Sequence, residues 1–233
     1  MSTRTDRTVV DPALAAALAG EVPLRLGDVL RLAAASLRGA KRWILLGMLV
    51  WLSVALFATL LGLLLGLSEV VAGSLSVIAT APLTLGLTMF AVRRVAGVGS
   101  DLGTLLAYRP AIGHAVVVLL LASVVFSATE ALLGSTWSLP VMLVYGLLTG
   151  QALFLIADRG VDAFTALGWS LRATLPVLPT LLLLQLVLAG IVFLATLALG
   201  IGLIWALPFV VLAMGAVSLR LFGTSALTLP ESA

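Results

Sequence analysis

Hydroxyl side chains recur at steps of four residues along one apolar stretch of the sequence, at Ser76, Thr80, Thr84 and Thr88. Residues four apart share one face of an α-helix, so these four form a polar stripe on an otherwise apolar helix. The next apolar stretch carries a shorter stripe, which consists of Ser123, Ser127 and Glu130. Such stripes can line a path for a solute, or they can pack helices together. We favour packing, because a Ser or Thr hydroxyl can bond a carbonyl one turn back in its own helix.

Few other side chains are suited to chemistry. The sequence has no Cys and one His, which excludes disulfide scaffolds, thiolate sites and His-based metal clusters. An ionisable residue deep in a membrane span marks an ion path, but His114 and Glu130 lie near the ends of their stretch. Glu69 and Glu130 alone make a poor cation site, since Ca²⁺ takes six or more oxygen ligands. We therefore predict a protein that is not an enzyme, with no catalytic residue, metal site or cofactor.

The composition indicates whether the apolar stretches of this chain are surrounded by water or by lipid. Hydrophobic residues make up 62% of the 233 residues and charged residues 10%, and the mean hydropathy is +1.25. Soluble domains are about half apolar and a quarter charged, so most of this chain must lie in lipid. The 13 Lys and Arg residues form no dense basic face with interleaved aromatic residues, and we expect no nucleic-acid partner.

About 20 apolar residues span a bilayer as a helix, and the sequence contains six such runs. They cover residues 43–66, 70–92, 111–133, 137–157, 177–199 and 202–219. Spanning segments must be helices or closed barrels, and alternating ten-residue strands are absent. We predict an all-α integral membrane protein with six transmembrane helices.

Basic residues fall on one side of this six-span arrangement. All 13 lie in the segment before the first span, in 93–110, in 158–176 or after the sixth span, and none lies in the short connections near 67–69, 134–136 and 200–201. This positive-inside pattern predicts that both termini are cytoplasmic. We expect no secretory signal, because residues 1–42 are mixed polar and the first long apolar run begins at Trp43.

An internal repeat is also indicated. The spacing from Asp28 to Ser36-Leu37-Arg38 matches that from Asp162 to Ser170-Leu171-Arg172. We predict three units, each a cytoplasmic-side helix followed by a two-span hairpin, over about 28–97, 101–160 and 162–223. Together they form a six-helix domain over 27–223, with cytoplasmic tails at 1–26 and 224–233. Asp28, Asp101 and Asp162 are predicted N-caps of the opening helices.

The opening helix of each unit is predicted to lie along the inner membrane surface. Arg31, Arg38 and Arg42 are spaced for one helical face, while leucines and alanines fall on another, which is typical of an interfacial helix. The predicted basic surface consists of Arg31, Arg38, Lys41, Arg42, Arg93 and Arg94. Such a surface attracts anionic lipid headgroups. The alternative is a cytoplasmic extension of the following span.

Two glutamines and three prolines occur within the spans. Gln151 and Gln185 are predicted to make interhelical hydrogen bonds. Pro82, Pro140 and Pro208 place one proline in each even-numbered span, where Pro82 and Pro208 would kink their helices.

Short motifs in 150–223 resemble those of a known group of proteins. They are Asp158-Arg159-Gly160, Ser170 with Arg172, Gly200-Ile201-Gly202, and Pro208 leading to Arg220. The chain resembles uncharacterised six-span bacterial inner-membrane families, which are also similar to the membrane part of some glycerophosphodiester phosphodiesterases. The resemblance implies a multi-pass inner-membrane fold. It implies no catalytic residues, because the phosphodiesterase chemistry belongs to a separate domain.

Two functions remain from these patterns. The favoured hypothesis is a scaffold or accessory partner that contacts membrane lipids and another membrane protein or a second copy of itself. The alternative is a channel or carrier for a neutral or lipidic solute. A wet cavity beside Thr80, Thr84 and Thr88 would favour transport, whereas dry packing of these residues would favour the scaffold.

Overall fold

The structure is a computed structural model that describes residues 12–99, 103, 108–197 and 200–223. This part of the chain is helical and contains no strand. The α-helices are α1 (Pro12–Leu18), α2 (Leu26–Ser36), α3 (Lys41–Leu64), α4 (Glu69–Val95), α5 (Ile112–Leu133), α6 (Ser135–Thr149), α7 (Ala152–Arg159), α8 (Ala163–Thr174), α9 (Leu178–Leu197) and α10 (Leu203–Phe222). A 3₁₀ turn at Arg109–Ala111 leads into α5.

Six helical stretches are long and apolar enough to cross a membrane, which confirms the predicted fold class. They are α3, α4, α9 and α10, the stretch Arg109–Leu133 that contains α5, and the stretch Pro140–Arg159 that contains α7. Much of their surface is apolar and exposed, as at Leu64, which is 84% exposed. Water would penalise such a surface and lipid does not. The chain is therefore described as a multi-pass membrane protein.

The fourth apolar stretch is broken near its middle. The sequence predicts one helix over 137–157, but α6 ends at Thr149 and α7 begins at Ala152. The carbonyl of Leu148, just before this interruption, accepts a hydrogen bond from the Ser170 hydroxyl of α8 at 2.7 Å. The fourth span itself is confirmed as Pro140–Arg159, with its regular helix interrupted at Gly150 and Gln151.

The predicted N-caps have different outcomes. Asp162 caps α8, since its carboxylate accepts from the backbone N–H groups of Phe164 and Thr165, both at 3.1 Å. Asp28 does not cap α2, because Arg25 has the extended backbone of the N-cap position and the helix already begins at Leu26. Asp28 lies in the first turn, where a carboxylate still favours the positive end of the helix dipole. Asp101 lies outside the described residues.

The predicted basic face of the first unit is interrupted. Helix α2 ends at Ser36 and a turn over 37–40 precedes α3, with Gly39 in the left-handed region at a φ of +81°. Arg31 therefore does not share a continuous helix with Arg38 and Arg42, and the prediction of one common face was wrong. Helix α2 packs along α10 and buries Val29 and Ala33 completely.

The best-packed part of the protein lies where α2, α7, α8, α10 and the end of α4 meet. Three buried phenylalanines stand in it: Phe90, Phe154 and Phe222. The rings of Phe154 and Phe222 have centroids 6.0 Å apart, within the range of favourable aromatic pairs. From this core the α3–α4 hairpin extends into a region of exposed apolar side chains.

Helix α10 contacts the base of the α3–α4 hairpin, which is the end where α3 begins and α4 ends. A Cβ added to Gly215 would lie 2.8 Å from the carbonyl carbon of Ala91, so α10 meets α4 there without a side chain between them. Ten residues earlier, Trp205 contacts Lys41 at the start of α3. Trp205 and Gly215 therefore both contact the end of the hairpin at which α3 begins and α4 ends.

Candidate functional site

The hydroxyl stripe of α4 is bonded within the protein. Thr80 is 4% exposed, and its hydroxyl donates to the carbonyl of Ser76 at 2.8 Å. The Ser76 hydroxyl donates across the hairpin to the carbonyl of Ala55 in α3 at 3.1 Å. This half of the stripe packs α4 against α3.

The other half of the stripe faces an open space. Thr84 donates to the carbonyl of Thr80 at 3.0 Å and accepts from the indole N–H of Trp51 at 2.9 Å. Thr88 donates to the carbonyl of Thr84 at 2.9 Å. Both threonines line a cavity of about 630 Å³. The stripe is therefore divided between a dry contact and a cavity wall.

The cavity lies between α3, α4, α10 and the break that precedes α7. Its apolar lining includes Leu45, Met48, Leu52, Leu87, Val211 and Met214, and its polar lining consists of Thr84, Thr88, Gln151 and Ser218. Ligand cavities of this size are mostly apolar with a few placed polar groups. This cavity has the same character.

Gln151 makes the predicted interhelical bond. The Ser218 hydroxyl of α10 donates to the Gln151 side-chain oxygen at 2.5 Å. Sequence reasoning missed Ser218, because a single serine in an apolar helix carries no spacing signal. No hydrogen-bond partner of Gln185 is present in the described part of the chain, so its predicted interhelical bond is not observed there.

The second hydroxyl stripe does not join the cavity. Ser123 donates to the carbonyl of Leu120 within α5 at 2.8 Å, and Ser127 is exposed. Neither residue lines the cavity. His114, Glu69 and Glu130 are exposed. Across the described ranges, no cluster of three or more His, Asp or Glu side chains could hold a metal ion.

The predicted basic residues occupy three different settings. Arg31 pairs with Asp28 at 3.4 Å. Arg93 donates to the carbonyl of Gly99 at 3.2 Å. The others lie around the start of α3 and the end of α4: Arg94 donates to the carbonyl of Arg38 at 2.7 Å, Lys41 lies over the Trp205 ring and Arg42 lies over the Trp43 ring.

A buried ion pair at the end of α7 also contacts the end of α10. Arg159 contacts the carboxylate of Asp158 at 3.2 Å and donates to the carbonyl of Phe222, at the end of α10, at 3.0 Å. The Asp158 side chain is only 1% exposed. Burial raises the pKa of Tyr108, while Arg93 opposes that rise and Asp158 adds to it. The sequence marked Asp158 and Arg159 only as part of a motif, and this packing role was not predicted.

Comparisons of the chain with protein-family models, with curated proteins and with solved structures found no match.

Proposed function

We propose that this chain is a non-enzymatic scaffold or accessory partner in a bacterial inner membrane. The observation that carries the proposal is the bonding of the polar side chains within the spans. The hydroxyls of Ser76, Thr80, Thr84 and Thr88 all donate to helix carbonyls, and Ser218 donates to Gln151. Ser76 and Ser218 bond to a neighbouring segment and the three threonines bond within α4, so this stripe has no row of free hydroxyl donors to guide a polar solute.

The orientation belongs to the same proposal. Both termini lie in the cytoplasm, because all 13 basic residues fall on one side of the six predicted spans. The partners are anionic lipid headgroups and another membrane protein or a second copy of this chain.

The second candidate function is a carrier for a lipidic solute. The open cavity beside Thr84 and Thr88 favours it. Pro82 and Pro208 lie within α4 and α10, two of the helices that border the cavity, and could permit movement of these helices.

Lipid movement in vesicles separates the two functions. The purified chain would be placed in phospholipid vesicles that contain a fluorescent phospholipid, and transfer of this lipid between leaflets would be followed by chemical quenching from outside. A scaffold leaves the transfer rate at that of protein-free vesicles. Faster transfer that is lost when Leu87→Trp narrows the cavity would overturn the scaffold and favour the carrier.

A further inference from the structure

The cavity face of the α3–α4 hairpin ends in a cation on each helix. On α4, the lining residues Thr84, Thr88 and Ala91 are followed at the next helical step by Arg94. On α3, the lining residues Leu45 and Met48 are preceded at the same spacing by Lys41. Residues three or four apart share a helix face, so both cations lie beyond the same end of the cavity.

Both cations are held in place by the surrounding structure. Arg94 donates to the carbonyl of Arg38 at 2.7 Å. The Lys41 ammonium lies over the Trp205 ring, 3.7 Å from its centroid. Throughout the part of the chain that the structure describes, no carboxylate pairs with Lys41 or Arg94. Two positioned cations without an anion form a site for one.

The polar groups in the cavity wall are unsuited to a polar solute. The hydroxyls of Thr84 and Thr88 already donate to carbonyls, and that of Ser218 donates to Gln151. The rest of the wall is formed mostly by leucine, valine and methionine side chains, together with Trp51, Ala91, two glycines and the Gln151 side chain. An apolar chain fills such a space favourably, because it removes apolar surface from water and gains van der Waals contacts with the wall.

We propose that the cavity binds one acyl chain of an anionic phospholipid from the surrounding bilayer, with the lipid phosphate at Lys41 and Arg94. The lipid is a resident of the site and not a transported solute. This inference rests on the membrane embedding of the chain but not on the scaffold role. The requirement for an anionic headgroup distinguishes this site from the nonspecific contacts that any apolar surface makes with lipids.

Lipid retention tests the proposal. The full-length chain would be reconstituted in vesicles of equal phosphatidylglycerol and phosphatidylcholine, extracted in mild detergent, and weighed with its bound lipids by native mass spectrometry. Wild type should retain phosphatidylglycerol over phosphatidylcholine. The variant K41Q/R94Q should lose this preference, by about fivefold for each cation removed. The matched control R25Q/R172Q removes two exposed cations that do not border the cavity and should keep it.

A second pair of variants tests the acyl chain. Leu87→Trp fills part of the cavity without changing charge and should reduce retention of both lipids, whereas Leu121→Trp alters an exposed position on α5 and should not. Equal retention of the two lipids by wild type would overturn the proposal, as would an unchanged preference in K41Q/R94Q. The scaffold proposal is tested by lipid transfer between leaflets, whereas the lipid site is tested by lipid retention. Failure of one proposal can therefore be distinguished from failure of the other.

Discussion

The ammonium of Lys41, the first residue of α3, lies 3.7 Å from the centroid of the Trp205 ring near the start of α10. A cation at this distance from an indole face is attracted by the ring quadrupole. Both residues lie near the beginning of a long apolar helix, so the contact joins the starts of α3 and α10. The contact places the start of α10 at the base of the α3–α4 hairpin.

Crosslinking tests this placement directly. The sequence has no Cys, so a pair of introduced cysteines is the only thiol pair present. A short bismaleimide should join K41C to W205C within one chain, as read from the mobility of the crosslinked protein. The comparison pair L64C and W205C uses the other end of α3 and should remain unlinked. The reverse result would contradict the contact between the starts of α3 and α10.

Gly215 is required where α10 meets α4. An added Cβ would lie 2.8 Å from the Ala91 carbonyl carbon and 3.0 Å from the Val92 nitrogen, so the two backbones would have to separate. We expect Gly215→Ala to lower the free energy of unfolding by about 1–3 kcal/mol, measured by denaturation in detergent micelles. Gly190→Ala is the control, since a Cβ there meets no atom within 4 Å. Equal losses in the two variants would contradict the close approach.

The bond between Trp51 and Thr84 is the direct side-chain link between α3 and α4 beside the cavity. Thr84→Val removes the acceptor of the indole N–H and should destabilise the protein by about 0.6 kcal/mol, the average for such bonds in membranes. Thr88→Val removes only a bond within α4 and serves as the control. A double-mutant cycle with Trp51→Phe measures the coupling, and zero coupling energy would show that the bond does not stabilise the hairpin.

The start of α8 should respond to acid. The Thr165 hydroxyl, followed by nearby backbone N–H groups, holds the pKa of Asp162 below its usual value. A lowered pKa in the folded state means that the stabilisation is present above the unfolded pKa and is lost as the pH falls through the folded pKa. Hydrogen exchange at Phe164 and Thr165, relative to intrinsic rates, should accelerate severalfold in this acidic range. Asp162→Asn keeps an acceptor but cannot titrate, so its relative exchange should stay constant. Equal acceleration of exchange in wild type and Asp162→Asn would show that a group other than Asp162 causes the acid response.

The proposed orientation predicts a labelling pattern in intact cells. A membrane-impermeant maleimide should label Glu69→Cys, which is exposed at the start of α4. It should leave Arg172→Cys and Arg220→Cys unmodified until the membrane is permeabilised. Labelling of Arg220→Cys from outside would reverse the orientation and remove the support for cytoplasmic termini.

Local properties of the sequence predicted the helices well. The first two spans were expected at 43–66 and 70–92 and are found as Lys41–Leu64 and Glu69–Val95, because hydropathy and length act within one segment. The interruption after Thr149 was not predictable in this way. The Ser170 hydroxyl of α8 bonds the Leu148 carbonyl just before it, and no pattern near Leu148 reports this contact.

The candidate site could be predicted only in part, because some of its walls depend on contacts between segments that are distant in the sequence. The spacing of Thr84 and Thr88 identified one wall, and Gln151 was recognised as an interhelical bonding residue. The third wall comes from α10, whose position depends on Gly215 fitting against Ala91. Among 22 glycines, no local signal distinguishes Gly215. The cavity could therefore not be foreseen from the stripe alone.

The Ser170 hydroxyl of α8 bonds the Leu148 carbonyl of α6 at 2.7 Å. If α8 separated from α6, this carbonyl would lose its partner in an environment with little water, at a cost of several kcal/mol. We therefore expect α8 to remain attached to α6 whenever either helix moves.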